Sequence, residues 1–419
     1  MSMKRILIVA PFVSLPGEPC FNRFLSLSYL WAKDYDVTLV TSAFCHPQKQ
    51  PRDRNSEAIA NLPFKLVLID EPGYRSNVSF ARFWSHRIFH QNFKRWLVNA
   101  LEQEPAFDVI YSAFPLISTN LTLGALKPQS TYKLIIDVQD IWPDSIFSAI
   151  PFLKAADFLI SPLRAKAHRA YRYADGLVAV SKTYLDVALS HCPQTPSQVA
   201  YLGSDYALIE SIAPKPLSSK AVKLFYLGTL SHSYDMETVI RGFSQMSVQA
   251  GDVELHILGD GPDREKLEAL CVSSSTHPVI FHGYLPYEDM VAFAKSCDIA
   301  INPIVGSATQ SITNKLSDYI ALGHPILSSQ RNWEAMELIK SRDGYWFEAG
   351  SVQSFMAAAQ QAVRDCQLAK IDAIAPSPSP VGTLAAFKTA SSHQTDRLFD
   401  RRVAYPQITE FIEQLCAIA

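Results

Sequence analysis

No two cysteines stand at C-x-x-C spacing in this sequence, and the seven present (Cys20, Cys45, Cys192, Cys271, Cys297, Cys366 and Cys416) are scattered and odd in number. That usage fits a reducing compartment and offers no metal site. An excess of positive charge is missing as well. Lys and Arg total 38 against 40 Asp and Glu, a formal net charge of −2, which argues against a nucleic-acid protein, whose affinity needs a basic face. Local basic patches remain open. No window approaches the ~18 continuous apolar residues of a membrane-spanning helix. The run ILIVAPFVSL after Lys4-Arg5 is broken by Pro11 and lacks a small-residue cleavage site, so it reads as a buried first strand rather than a signal peptide. The expected location is the cytosol, with contact to the inner face of the cell membrane left open. The loop after that strand lacks G-x-G-x-x-G, so the dinucleotide fingerprint is absent.

What is present is a long alternation of strands and helices. At 419 residues, 48% hydrophobic and 19% charged, the chain exceeds what one core serves, and two domains are expected. Strands read at 4–10, 37–40, 64–69, 108–111, 134–137 and 176–180, and helices over 20–32, 79–104, 153–173 and 182–190. Such alternation predicts a doubly wound parallel sheet. Residues 211–221, SIAPKPLSSKA, read as a Pro/Ser-rich linker, after which the alternation restarts with KLFYLG, VELHILG, VIFHGYL and DIAINP as strands. The expected division is a first domain over 1–211, a second over 212–395, and a C-terminal helix within 396–419 that can pack back on the first. AIAPSPSPVG, near 373–382, reads as an exposed low-complexity loop. Two similar α/β halves predict a cleft between facing loop edges.

In the 79–104 helix, Phe80, Trp84 and Ile88 form one ridge, and Phe89, Phe93, Leu97 and Leu101 another, with Arg82, Arg87, Lys94 and Arg95 interleaved. An interfacial helix on anionic lipid has this chemistry. The ridges equally describe core positions with solvated bases, and the number of aromatics favours that reading.

A later stretch, SITNKLSDYIALGHP from Ser311 to Pro325, has Ser311 or Thr313 to cap a helix and Gly323 to end it. A capped helix entered from a polar loop is an anion site when something charged lies ahead of it; the alternative is an ordinary surface helix. Gly228-Thr229-Leu230, Gly259-Asp260-Gly261-Pro262 and Asn302-Pro303 are further phosphate-compatible turns at strand ends. Their convergence on one edge suggests an anionic nucleotide ligand.

The ordered runs LGTLSHSYDMETVI, LHILGDGPDREKLEAL, IFHGYLPYEDM, DIAINP and NKLSDYIALGHPIL resemble the donor domain of retaining GT-B glycosyltransferases of family 4. YADGLVAVS and LGSD resemble that family's link between lobes. FDVIYSAFP, IIDVQDIWPDS and RFLSLSYLWAKDYDVTLVTSAF are similar to members that build capsular polysaccharide or exopolysaccharide. The resemblance covers about residues 4–365. It implies an α/β GT-B fold of two facing Rossmann-like domains, and transfer of a sugar from a nucleotide diphosphate sugar with retained configuration. It requires no cofactor and no metal. The protein's task is then electrostatic, holding the leaving pyrophosphate.

On that resemblance the donor meets Gly228, Thr229, His232, Gly259, Arg264, Tyr284, Asn302, Ser311, Ile312, Thr313 and Asp318. The family's two glutamates fall on Gln310 and Asp318. Asp318 can still accept from ribose hydroxyls, whereas neutral Gln310 can orient a sugar hydroxyl without stabilising positive charge. The usual Arg and Lys fall on Thr229 and Tyr234, a serious loss of phosphate contacts. His232, Lys315 and Arg264 are the available substitutes, Lys315 being preferred, with a solvated first-turn lysine as its alternative. Catalytic roles are thus expected of Asp140, Gln310 and Lys315. On the acceptor side, Asp140 is the nearest match to a polarising group, Gln139 stands where some members carry His, and Asp137 and Asp144 compete with Asp140. Gly17, Asn22 and Arg23 can meet the acceptor, a glycan or lipid-linked saccharide; Arg23 equally reads as a surface charge. A binding protein without transferase activity and a non-hydrolysing sugar-nucleotide epimerase are the competing readings.

Overall fold

The computed structural model describes residues 3–18, 23–76, 79–145, 157–248, 252–274, 277–306, 311–374 and 397–417. The chain divides into two compact units. The first comprises Met1–Asp144, Leu153–Ala200 and Tyr405–Ala419, and the second Ser145–Phe152 and Tyr201–Ala404. The division therefore falls ahead of the Pro/Ser-rich stretch, not within it. Tertiary contacts place it there: Ser204 N–H donates to Phe399 O at 2.8 Å, tying the start of the second unit to that unit's own end.

The first unit is built on a parallel sheet of β1 (Arg5–Val9), β2 (Asp36–Ser42), β5 (Lys65–Ile69), β6 (Val109–Phe114), β7 (Lys133–Val138), β8 (Gly176–Ala179) and β9 (Ser197–Val199), with β3 (Phe44–Cys45) and β4 (Gln50–Pro51) forming a small antiparallel hairpin. The sheet order is β5-β2-β1-β6-β7-β8-β9. In β1, Ile6 is paired on one side with Val37 and on the other with Val109. Continuous Val/Ile/Leu runs buried on both faces are what a helix-covered parallel sheet requires.

The 24-residue helix Phe80–Gln103 starts at Ser79, whose side chain accepts from Arg82 N–H. It resolves the two readings of its pattern by splitting them. Phe89, Phe93 and Leu97, with Ser85 and Ala100, are buried, whereas Phe80, Phe83 and Trp84 stand in solvent at 80%, 66% and 48% exposure. The last helix spans Arg401–Ala417, inside the expected 396–419. In the first unit it receives a 2.9 Å hydrogen bond from Trp31 Nε1 to Thr409 Oγ1. A Cβ on Gly176 would stand 2.5 Å from Leu415.

In the second unit β10 (Val222–Leu227), β11 (Val253–Leu258), β12 (Val279–Gly283), β13 (Ile299–Asn302), β14 (Ile326–Ser328) and β15 (Tyr345–Trp346) form a parallel sheet in the order β12-β11-β10-β13-β14-β15. Helix Val352–Ile374 buries Phe355, Ala359, Ala362 and Val363 in one core with Phe243 and Phe347, each large side chain contributing about 1.5–3 kcal/mol. This helix runs to Ile374, and most of the expected loop at 373–382 lies outside the described residues.

Candidate functional site

In an open parallel sheet, ligands bind outside the carboxyl ends of the strands where the strand order reverses. In the second unit that point lies between β10 and β13. The loops leaving these two strands are joined by their backbones: Asp235 N–H donates to Pro303 O at 2.8 Å, and Val305 N–H to Ser233 O at 3.3 Å. Glycines allow the neighbouring turns to close. Gly259, at φ +154, lies so near the β10 loop that a Cβ would stand 1.9 Å from Gly228 O, and Gly228 itself sits at φ +109. These are positions an L side chain rarely adopts.

Helix Asn314–Leu322 begins at the same edge. Thr313, rather than Ser311, is its cap, accepting from Leu316 N–H at 3.2 Å, and Gly323 ends it in the left-handed conformation. Ser311 and Ile312 are buried just before it. The Ser311 carbonyl accepts from Gln330 Nε2 at 2.8 Å, and Asn302 Nδ2 donates to Gln330 Oε1 at 3.0 Å and to Ser328 Oγ at 3.1 Å. Asn302 therefore locks the end of β13 to the approach of the helix. Gln310 lies outside the described residues.

Lys315 is the second residue of this helix. Its Nζ lies 2.5 Å from Tyr226 Oη, 3.2 Å from the centroid of the Tyr234 ring and 4.2 Å from that of Tyr226. Tyr226 in turn donates to Thr229 O at 2.7 Å, leaving its lone pairs for the amine. Among the described residues no carboxylate pairs with Lys315, and burial pushes its pKa well below the usual value. Two effects compete. Cation–π contact with a ring is worth up to about 2 kcal/mol, whereas removing an ammonium from water costs several kcal/mol. Desolvation wins, so this amine holds its proton weakly. The reading of a solvated first-turn lysine does not fit this half-buried cage.

One turn on, Asp318 Oδ1 accepts from Ser204 Oγ at 2.6 Å and from Tyr287 Oη at 3.0 Å. Burial raises its pKa, with those two hydroxyls acting the other way. Asp318 thus also holds its own unit together. Arg264 follows the Gly259–Pro262 turn, but its guanidinium is held by Asp260 at 3.0 Å and Glu268 at 2.7 Å, which weakens its case as a replacement phosphate cation. His232 and Thr229 are exposed, and Tyr284 is 75% exposed.

In the first unit, the expectations of Arg23 as an acceptor contact and as a surface charge are both corrected. Its side chain is fully buried, with Nε 3.0 Å from Asp137 Oδ2 and a 2.6 Å hydrogen bond to Ala200 O. Tyr111 Oη donates to the same Asp137 oxygen at 2.6 Å. Both residues belong to the core, which also removes Asp137 from the groups able to face an acceptor. Asp144 pairs with Arg164 at 2.7 Å. Asp140 and Gln139 are half-buried in the loop after β7. Gly17 has a left-handed φ of +84 with open space around it, and Asn22 lies outside the described residues.

Two clusters went unread in the sequence. One is the Tyr226–Tyr234 cage, whose signal was the aromatic at a position where a cation was expected. The other lies at the carboxyl ends of β2 and β5. There Glu71 accepts from Ser42 and Ser85 hydroxyls, each at 2.5 Å, and stands 3.3 Å from His46 Nε2. Burial raises the Glu71 pKa, but His46 and the serines outweigh it, and the net shift is downward. Beside it, burial pushes His86 down to about 4.

Residues 221–365 match the family model described as Glycosyl transferases group 1. An uncharacterized glycosyltransferase of Methanocaldococcus jannaschii is 26% identical over 138 residues, which are 32% of this chain; the match spans 35% of that relative. Among solved structures, sucrose-phosphate synthase from Thermosynechococcus elongatus superposes with a TM-score of 0.71 at 13% identity, over 99% of this chain and 100% of its own. The lipopolysaccharide outer core galactosyltransferase WaaB, in its apo form, gives 0.63 at 16% identity, over 98% and 99%. With two parallel-sheet Rossmann-like units and these structural neighbours, the chain has the GT-B fold.

Proposed function

We propose that the protein is a retaining glycosyltransferase of the family 4 type, moving a hexose from a nucleotide diphosphate sugar to a glycan or lipid-linked acceptor in surface polysaccharide synthesis, without a metal. The observation that carries this reading is Lys315 in its tyrosine cage at the β10/β13 switch point, beside the Gly228 turn. A donor pyrophosphate seated there meets the positive end of a capped helix and an amine with no competing carboxylate among the described residues. Asp318, one turn along, is the group for the ribose, and Asp140 the group that polarises the acceptor hydroxyl. Charge developing on the leaving pyrophosphate is then stabilised by donors already in place.

A thermal-shift screen over common sugar nucleotides tests the reading. At least one is expected to raise the melting temperature, and Lys315→Met to remove most of that rise. Transfer then needs to be seen with radiolabelled donor and acceptor extract. If no nucleotide diphosphate sugar stabilises the chain, the reading fails. A second reading, donor binding without transfer, draws on Thr229 and Tyr234 at the family's cation positions and on the pairing of Arg264 with two acids. One measured turnover ends it.

A further inference from the structure

Helix Phe80–Gln103 buries one face and leaves the other without a partner among the described residues of its unit. Phe80, Trp84, Arg87, Gln91, Lys94 and Arg95 fall at i, i+4, i+7, i+11, i+14 and i+15, a single stripe on a helix. All six are exposed. The stripe is aromatic at its start, where Phe83 joins Phe80 and Trp84, and basic along the rest. Arg82 points elsewhere, onto the Tyr74 ring at 5.6 Å. From Ser79 to Leu101 the helix carries no carboxylate, so nothing on it neutralises Arg87, Lys94 and Arg95.

Scattered exposed apolar residues need no explanation. Three large aromatics within five residues, continuous with a run of cations, do. From Phe80 to Arg95 the stripe extends about 22 Å along the helix, a length that matches a plane of charges better than one point anion. Phe and Trp suit the headgroup–acyl boundary, and lysine and arginine suit the phosphates above it.

We infer that this face docks the protein on an anionic phospholipid bilayer, with Phe80, Phe83 and Trp84 entering the interface and Arg87, Lys94 and Arg95 lying along the lipid phosphates. The inference stands apart from the donor site, so either can fail alone.

The experiment is co-sedimentation of the full chain with vesicles of phosphatidylcholine alone and of phosphatidylcholine mixed with phosphatidylglycerol. Binding is expected to the mixed vesicles and to weaken with salt. Two variants alter exposed side chains only, F80S/F83S/W84S and R87E/K94E/R95E. Each is expected to reduce binding at least about tenfold, the first by removing the apolar surface that enters the interface and the second by removing three basic residues at an anionic surface, while leaving sugar-nucleotide stabilisation unchanged. Brominated lipid is expected to quench the wild type more than Trp84→Phe. The inference is overturned if the wild type binds neither vesicle, or if both variants bind like the wild type. It is also overturned if the serine variant instead dissolves a dimer seen by light scattering, which would make the face a contact between copies.

Discussion

Arg23→Met offers a direct test of how the first unit holds a charge inside. Methionine can fill the path of the arginine stem, so little volume is lost. What goes is the cation 3.0 Å from Asp137, on a pair whose side chains are both 0% exposed, together with the donor to Ala200 O. The carboxylate keeps Tyr111 Oη at 2.6 Å and the side chain of Gln139, both neutral. Breaking a buried pair at one end costs about 3–5 kcal/mol, and an orphaned carbonyl adds about 1–3 kcal/mol. The sum is comparable with the entire stability of many domains, about 5–15 kcal/mol. The deficit also depends on pH. Burial already raises the Asp137 pKa against the pull of Arg23 and Tyr111, and loss of Arg23 raises it further. A carboxyl raised in the folded state adds stability below its unfolded pKa and loses it as pH rises through the folded one. The variant is therefore expected to be nearest the wild type in acid and to fall behind towards neutral pH. Urea unfolding followed by far-UV circular dichroism at several pH values measures this. A loss under about 1 kcal/mol at neutral pH would refute the reasoning, as would a deficit that does not change with pH.

Lys315 is expected to take up a proton when a nucleoside diphosphate binds, because burial holds its pKa well below normal beforehand; calorimetry in two buffers of different ionisation enthalpy reads the uptake, and an equal apparent enthalpy in both sinks the idea. Gly259→Ala is expected to destabilise the second unit by more than the ~1 kcal/mol typical of point substitutions, since its Cβ would meet Gly228 O at 1.9 Å; an unchanged melting temperature would show that the turn yields. His86 and His282 are both pushed by burial to about 4, so the folded state binds fewer protons than the unfolded chain, and stability is expected to fall as pH drops from about 6.5 towards 4. His86→Phe should flatten that slope in chemical denaturation, and an identical slope would count against it.

The two sheets were legible because each strand is a short apolar run between turn signals, as in β1 and β10, where burial on both faces leaves no polar alternation to confuse the pattern. The linker was read from composition, which marks exposed chain, whereas a contact such as that from Ser204 N–H to Phe399 O has no local signature. Arg23 and Asp137 are far apart in sequence, and nothing near either announces the other. Periodicity found both ridges of helix Phe80–Gln103 but not which one meets solvent, since an aromatic ridge reads the same in a core and on a surface. Only neighbours decide that.

The donor-side departures are connected in the same way. Taken singly, a tyrosine at 234 in place of a lysine is a lost phosphate contact. In the folded unit its ring lies 3.2 Å from Lys315 Nζ, supplied by a different element. The amine at this edge thus comes from the first turn of helix Asn314–Leu322, with Tyr226 and Tyr234 as its walls. A cation on a flexible loop is strongly hydrated and must be dehydrated as phosphate arrives. An amine already caged has lost most of that water on folding, so less reorganisation remains for binding. The cost is a weaker hold on the proton, which the charge of a bound phosphate would restore. Under this account Tyr234 and Lys315 work as one unit, and the absence of the usual loop cation is not by itself a loss of function.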